Sequence, residues 1–351
     1  MRSHTRITVL TRRDLLARIA AVAGASALVA CAEDASDKEG TDPVDTGVLP
    51  TENRNVVISP ISSNEEHYVT SCCRTPTIDP TLWTLAITQT DDAGVITPIT
   101  AWTLDALRAL PARDREHTLM CIGANPNNQR ISNAIWSGLP MTEVLAALGV
   151  TVPEDAVAIR FDAGDEYSTA LPISDLDLPI WLVWQMNGTD LPPEHGFPVR
   201  LLVPSRYGMK NPKWITGMSF LTQPYLGYWE TRGWSDTAEY RPNTLIRYPR
   251  DSDVVVDGPL RVVGTAYAGS DPIVSVEVSL DGGAWQRAEI EYQNGPDTWA
   301  LWSFTLDVSE GTHTIQARCT TASGRMSDPA PLPPFDGGGY GGSMLVTNEV
   351  L

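Results

Sequence analysis

The chain has 351 residues, 42% of them hydrophobic and 19% charged, which is enough for two cores and excludes a disordered chain. Its formal net charge of −18 argues against nucleic acid as a partner, because gripping a phosphate backbone needs an excess of Lys and Arg. Five cysteines and five histidines include no paired CxxC and no HExxH, which excludes the common zinc patterns, and a chain this long does not need a disulfide framework.

Residues 1–30 carry five arginines and one acid, with an apolar run over Ile19–Ala30. That run is too short to cross a bilayer as a helix and has the flanks of an export signal. Thr11-Arg12-Arg13-Asp14-Leu15-Leu16 resembles the twin-arginine export motif, and Leu28-Val29-Ala30-Cys31 resembles a bacterial lipobox in which Cys31 is acylated. Residues 1–31 are therefore expected to be a lipoprotein signal, and removal of 1–30 takes the net charge from −18 to −22. Acyl chains on Cys31 would anchor the product to a membrane. Residues 32–55 are polar and acidic and read as a tether. The expected location is outside the cytoplasm, as a periplasmic or cell-surface lipoprotein. Twin-arginine export moves folded proteins, often with a cofactor already inserted, and so points towards a redox enzyme.

Residues 56–248 read as one mixed domain. Pro140 followed by Met141, Val144, Leu145 and Leu148 has the spacing of an amphipathic helix, with Gly149 as its stop. Trp181–Trp184 and Val199–Val203 read as strands between Pro, Gly and Asn turns. Residues 249–351 turn to β. Val274, Val276, Val278 and Leu280 alternate with Ser275, Glu277 and Ser279 ahead of an Asp281-Gly282-Gly283 turn. His313, Ile315, Ala317 and Cys319 alternate in the same way. Strands at this spacing without helices predict an immunoglobulin-like sandwich, with Cys319 a small core residue. The fold class is thus α+β, a mixed domain followed by a β-sandwich. The Gly337–Gly342 stretch lacks a strand-then-helix context and reads as a loop.

Four segments carry the chemistry. The first is Thr118-Leu119-Met120-Cys121-Ile122-Gly123, continued by Ile131-Ser132-Asn133-Ala134-Ile135-Trp136-Ser137-Gly138-Leu139-Pro140. The second is Met186-Asn187-Gly188 with Glu194-His195-Gly196-Phe197-Pro198-Val199-Arg200-Leu201. The third is Tyr207-Gly208-Met209-Lys210-Asn211-Pro212-Lys213-Trp214-Ile215, and the fourth Gly227-Tyr228-Trp229-Glu230-Thr231-Arg232-Gly233-Trp234. In this order they resemble the sulfite oxidase family of molybdopterin-dependent oxidoreductases, over nearly all of the chain after the tether. Val276–Gly283 looks like part of that family's sandwich domain, often used for dimerisation, so a homodimer is expected.

The resemblance implies a molybdenum–molybdopterin cofactor with Cys121 as metal ligand and catalytic residue, a role that suits a soft thiolate. It implies a pterin pocket in which His195, Arg200 and Lys213 supply charge-assisted donors to the phosphate. Asn211 and Pro212 are expected to line that pocket through backbone groups, Pro212 through its carbonyl only. Tyr68, Val69 and Thr70 match the family's N-terminal pterin contact, and Asp165 matches an acidic one.

The departures bear on substrate. Where sulfite oxidases have Arg-Asn-His after the position of Tyr68-Val69, this chain has Thr70-Ser71-Cys72. Ala124, Asn125 and Pro126 replace an Asn and Arg after the ligand, and Trp234 replaces an active-site Tyr. The cationic cage for a small oxyanion is largely missing, so the expected reaction is oxygen-atom transfer on a small sulfur-containing molecule other than sulfite. Arg206, Arg130 and Arg232 are the cations left to restore it. No haem motif CxxCH is present, so electrons are expected to pass to or from a separate protein, cytochrome- or quinone-linked. Two alternatives remain open: a sulfoxide reductase in the same fold, and an inactive surface lipoprotein used for binding, which need hold no stoichiometric molybdenum. Cys72-Cys73 reads as a redox pair or as two small buried residues.

Overall fold

The computed structural model describes residues 56–125, 128–328, 339, 341–342 and 344–350. The signal with Arg12, Arg13 and Cys31, the tether, Pro126 and half of the Gly337–Gly342 stretch lie outside the described residues. No described helix is long and apolar enough to cross a membrane.

The first half of the chain is built from β1 (Thr84–Thr90), β2 (Ile96–Thr103), α1 (Leu104–Arg108), β3 (Arg113–Met120), β4 (Ile131–Pro140), α2 (Met141–Ala147), β5 (Ala158–Ala163), β6 (Ser168–Pro172), β7 (Trp181–Met186), β8 (Thr189–Asp190), β9 (Arg200–Leu202) and β10 (Ile215–Leu221). One sheet runs β2-β1-β10-β5-β6, and a second runs β3-β4-β7-β8 with β9 on β7. Apolar residues of β1, β5 and β10 meet both helices and one face of the second sheet, as in Leu85, Phe161, Phe220, Leu104, Val144 and Leu182. The opposite face of the second sheet builds another cluster around Leu119, Trp136, Val183 and Leu202. With cores on both sides, β4 is buried at eight of its ten positions and shows no hydrophobic alternation.

The second half contains β11 (Asn243–Tyr248), β12 (Val254–Val255), β13 (Gly258–Tyr267), β14 (Ile273–Leu280), β15 (Gln286–Arg287), β16 (Glu289–Tyr292), β17 (Ala300–Val308), β18 (Gly311–Thr321) and β19 (Met344–Val350). They form two sheets, β11-β13-β17-β16 and β12-β19-β18-β14-β15. The inner faces share one apolar core that includes Leu245, Val262, Trp302, Val276, Ile315 and Val346. The fold class is the expected one, a mixed domain and then a sandwich. The sandwich begins with β11, ahead of the expected boundary at 249. Cys319 lies in its core, its thiol donating to the Asn243 carbonyl at 3.4 Å, and burial pushes its pKa up to about 11.

One strand differs from its sequence pattern. Val276 and Val278 face the core, but Val274 is 46% exposed and Ile273 is buried instead. The β14–β18 register shifts between Ile273 and Ser275. A bulge adds a residue to one strand and so reverses which side chains point inward beyond it.

Candidate active site

β3 delivers Cys121, and the sandwich domain holds the strand in place. Thr118 donates its N–H to the Asp297 carbonyl at 2.8 Å and accepts the Trp299 N–H on its hydroxyl at 2.9 Å. Tyr267 donates its hydroxyl to the Thr118 carbonyl at 3.1 Å, and Met120 N–H donates to the Tyr240 hydroxyl at 3.2 Å. Arg115 and Asp297 add an ion pair at 2.5 Å. Beyond the strand the chain turns tightly: Cys121 N–H donates to the Arg130 carbonyl and its own carbonyl accepts from Ala124, each at 3.0 Å.

The Cys121 thiol is half-buried and free of any disulfide, in a recess made by small residues and aromatics. A Cβ on Gly208 would stand 2.9 Å from the Tyr68 hydroxyl oxygen and 3.9 Å from Cys121 Cα, so only glycine lets the Tyr207–Asn211 turn approach this closely. A Cβ on Gly123 would stand 3.5 Å from the Trp234 ring and 3.9 Å from Cys121 Sγ. Trp234 in turn meets Trp229 edge-on. Burial, followed by the neighbouring Cys121, holds the Tyr68 phenol well above its ordinary pKa. Tyr68 therefore keeps its proton as a donor.

The second feature is an uncompensated positive charge inside the protein. Arg200 on β9 is 4% exposed, its guanidinium lying over the Trp136 ring at 4.9 Å. It donates to the carbonyls of His195 (3.0 Å) and Asn211 (3.3 Å), while its enclosed Nε has no partner. Lys213 Nζ donates to the Glu194 carbonyl at 2.8 Å and lies over the Trp214 ring at 4.2 Å. Gly196 joins the two: its φ is +114°, and a Cβ there would stand 3.0 Å from Arg200 Cβ and 3.1 Å from Lys213 Cβ. Neither cation forms an ion pair with a described carboxylate. Burial, followed for Lys213 by the charge of Arg200, pulls Arg200 down to about 10 and Lys213 down to about 7. Buried charge is normally paired, so this pair makes a site for an anion brought from outside. The phosphate of a pterin cofactor fits it, and the soft thiolate of Cys121 fits molybdenum.

The other expected residues divide. His195 lies in the pocket but is no cation: burial lowers its pKa to about 4. Its Nε2–H is committed to the Asn64 carbonyl at 2.7 Å, which corrects its expected charge. Asn211 and Pro212 build the wall rather than offering free groups. Asn211 holds Val203, Arg206 and Tyr207 through its side chain, and the Pro212 carbonyl accepts the Leu201 N–H at 3.0 Å. Val69 is exposed, and the enclosed Thr70 hydroxyl has no partner. Asp165 accepts the Tyr167 N–H at 3.1 Å and faces Cys72.

Three features escape sequence reasoning. His67 is buried against His195, Tyr68 and Trp136, with an enclosed Nε2 lacking a partner. Trp136 forms the floor under Arg200, and its place within the first motif was the signal for it. Lys210 is buried and binds Glu230 at 2.5 Å and the Ala170 carbonyl at 2.9 Å. That pair ties the Tyr207–Asn211 turn to β6 and to the Trp229–Trp234 turn.

Lys213 predicts a pH signature. With its pKa lowered from 10.5 to about 7, the unfolded chain holds the extra proton between those values. Stability from this group therefore rises with pH across that window and is lowest below pH 7. Lys213→Met should stabilise the cofactor-free protein at pH 6 by about 1–3 kcal/mol, with the gain shrinking at pH 9. Urea denaturation at the two pH values measures this, and a less stable variant at pH 6 would contradict it.

Comparison with known proteins agrees with this geometry. Residues 73–229 match the oxidoreductase molybdopterin binding domain, and residues 234–327 match the Mo-co oxidoreductase dimerisation domain. The chain belongs to the sulfite oxidase family of molybdopterin oxidoreductases. Human mitochondrial sulfite oxidase is 27% identical over 290 residues, covering 70% of this chain and 52% of the human protein. A nitrate reductase [NADH] of Brassica napus is 26% identical, covering 69% of this chain and 33% of that protein. The chain thus spans about half the length of the sulfite oxidases it matches. The crystal structure of the sulfane dehydrogenase SoxCD from Paracoccus pantotrophus superposes with a TM-score of 0.66 at 20% identity, covering 78% of this chain and 75% of that one. Membership of this family implies the molybdenum–molybdopterin cofactor.

Proposed function

We propose that this molybdopterin oxidoreductase transfers an oxygen atom to or from a small, neutral, sulfur-containing substrate and handles sulfite poorly. The observation that carries this reading is the recess beside Cys121, where Trp234 stands and fixed cations are scarce. Arg206 is spent on Asp175 and Glu239, each at 3.0 Å. Arg232 lies on the Tyr228 ring at 3.6 Å and donates to the Tyr228 carbonyl. Of these three, Arg130 stays near, its carbonyl bound to Cys121 and its charge, after that of Arg200, felt by Tyr68.

When bound, the cofactor supplies two-electron oxygen-atom transfer. The chain's own residues hold and shape that chemistry. Cys121 would ligate the metal, and Arg200 and Lys213 would grip the phosphate. Tyr68 keeps a proton available as a hydrogen-bond donor. Trp229 and Trp234 exclude water and favour a neutral, partly apolar molecule. We further propose export and lipid anchoring through Cys31, a separate electron-transfer protein, cytochrome- or quinone-linked, as partner, and pairing of two copies. The leader motifs support the first of these and the dimerisation-domain match the last.

Sulfite is a dianion, and two missing charge-assisted donors at about 1.5–3 kcal/mol each predict a deficit of two to four orders of magnitude in its handling. Steady-state kinetics with sulfite and a panel of neutral sulfoxides, using artificial electron donors and acceptors, tests this. A kcat/KM for sulfite near 10⁶ M⁻¹s⁻¹, the order expected of a good enzyme, would refute the reading.

A further inference from the structure

A second group of soft donors lies apart from Cys121. Cys72 and Cys73 are consecutive, both half-buried, with their sulfurs 2.9 Å apart. Cys72 Sγ points to Asp165 Oδ2 at 3.9 Å, and Asp165 is 8% exposed. The three ligating atoms lie within 4.8 Å of one another. Cys319 shows what a structural cysteine looks like in this fold: fully buried within an apolar cluster. Cys72 and Cys73 belong to no apolar cluster. They face a carboxylate and remain reachable from solvent.

We infer that Cys72 and Cys73 form a reversible dithiol–disulfide pair, a redox site separate from the molybdenum ligand, oxidised by thiol–disulfide exchange with an external disulfide. Adjacent Cα atoms stand about 3.8 Å apart, closer than the usual disulfide span of about 4.4–6.8 Å. A bond between them is strained, and strained or accessible disulfides are the readily reduced ones.

The two thiols have different parts. Cys72 is the thiol that lies beside Asp165, whose charge disfavours a second anion there, so Cys73 is assigned the first attack on the external disulfide. Its thiolate forms a mixed disulfide and releases one external thiolate, which takes up a proton. Cys72 then attacks Cys73 Sγ and displaces the second external group as thiolate, while its own proton passes to Asp165 and on to solvent. Two protein thiols lose two electrons between them, and one external disulfide becomes two thiols.

The test uses the full chain purified with its cofactor. The reduced protein is incubated with glutathione disulfide, labelled with N-ethylmaleimide and mapped by mass spectrometry. The expected peptide containing Cys72 and Cys73 carries no label and is two hydrogens lighter, and dithiothreitol restores both labels. Cys72→Ser should trap glutathione on Cys73 as a mixed disulfide, because the thiol that would displace it is gone. Full labelling of both cysteines after oxidation would overturn the inference. So would a Cys72→Ser protein that holds no glutathione on Cys73, or stoichiometric zinc on the reduced protein that blocks the oxidation.

Discussion

Replacing Cys121 by serine is expected to lower molybdenum-dependent turnover about a thousand-fold or more, equivalent to roughly 4 kcal/mol at 1.36 kcal/mol per decade. The reason is the ligand atom. A serine hydroxyl is hard and stays protonated near neutral pH, whereas molybdenum in a dithiolene environment takes a soft thiolate. The exchange is nearly isosteric at a half-buried position. The strand that carries it is held from behind by Tyr240, Tyr267 and Trp299, so the fold should persist. Turnover with an artificial electron acceptor, measured beside the urea midpoint, separates the two effects. Retained turnover in a folded serine variant would remove Cys121 from the metal.

Arg200→Ala combined with Lys213→Ala is expected to weaken cofactor retention by two to four orders of magnitude. Each substitution removes a charged donor worth about 1.5–3 kcal/mol to a phosphate. The two act on one anion and both pack against Gly196, so the range assumes additivity and coupling between them would move the loss away from the simple sum. Loss of Arg200 also uncovers the Trp136 ring. The measurement is molybdenum and pterin content after exhaustive dialysis. Full loading in the double variant would place the phosphate elsewhere. Substrate preference should not change if Arg200 and Lys213 serve only the cofactor's phosphate.

Much of this site is legible one residue at a time. Cys121 lies at the end of an apolar strand and before a turn, both local properties, and the resemblance of the flanking motifs implies the role proposed for it. The helix after Pro140 likewise follows from i, i+3, i+4 spacing. What is not legible is ionisation. His195 looks like a third cation beside Arg200 and Lys213, yet burial keeps it neutral, and burial depends on chain segments far away in sequence. Arg206, Arg130 and Arg232 look interchangeable as replacement cations. Two are engaged by Asp175, Glu239 and Tyr228, and one is left beside Cys121. Val274 reads as a core residue because alternation carries no sign of a bulge.

The sequence by itself determined the order of a mixed domain before a sandwich, because residue type and spacing specify local structure directly, and its resemblance to the sulfite oxidase family implied the cofactor class and the proposed ligand Cys121. The tertiary structure decided where charge resides and what holds the ligand in place. Arg200 and Lys213 fit a phosphate only because the fold draws them away from water without an ion pair to a described carboxylate. Cys121 is held in position not only by its own neighbours but by the sandwich, more than a hundred residues later in the chain, which hydrogen-bonds the strand that carries it. Both effects arise from desolvation and from contacts between distant segments, and no local pattern encodes either.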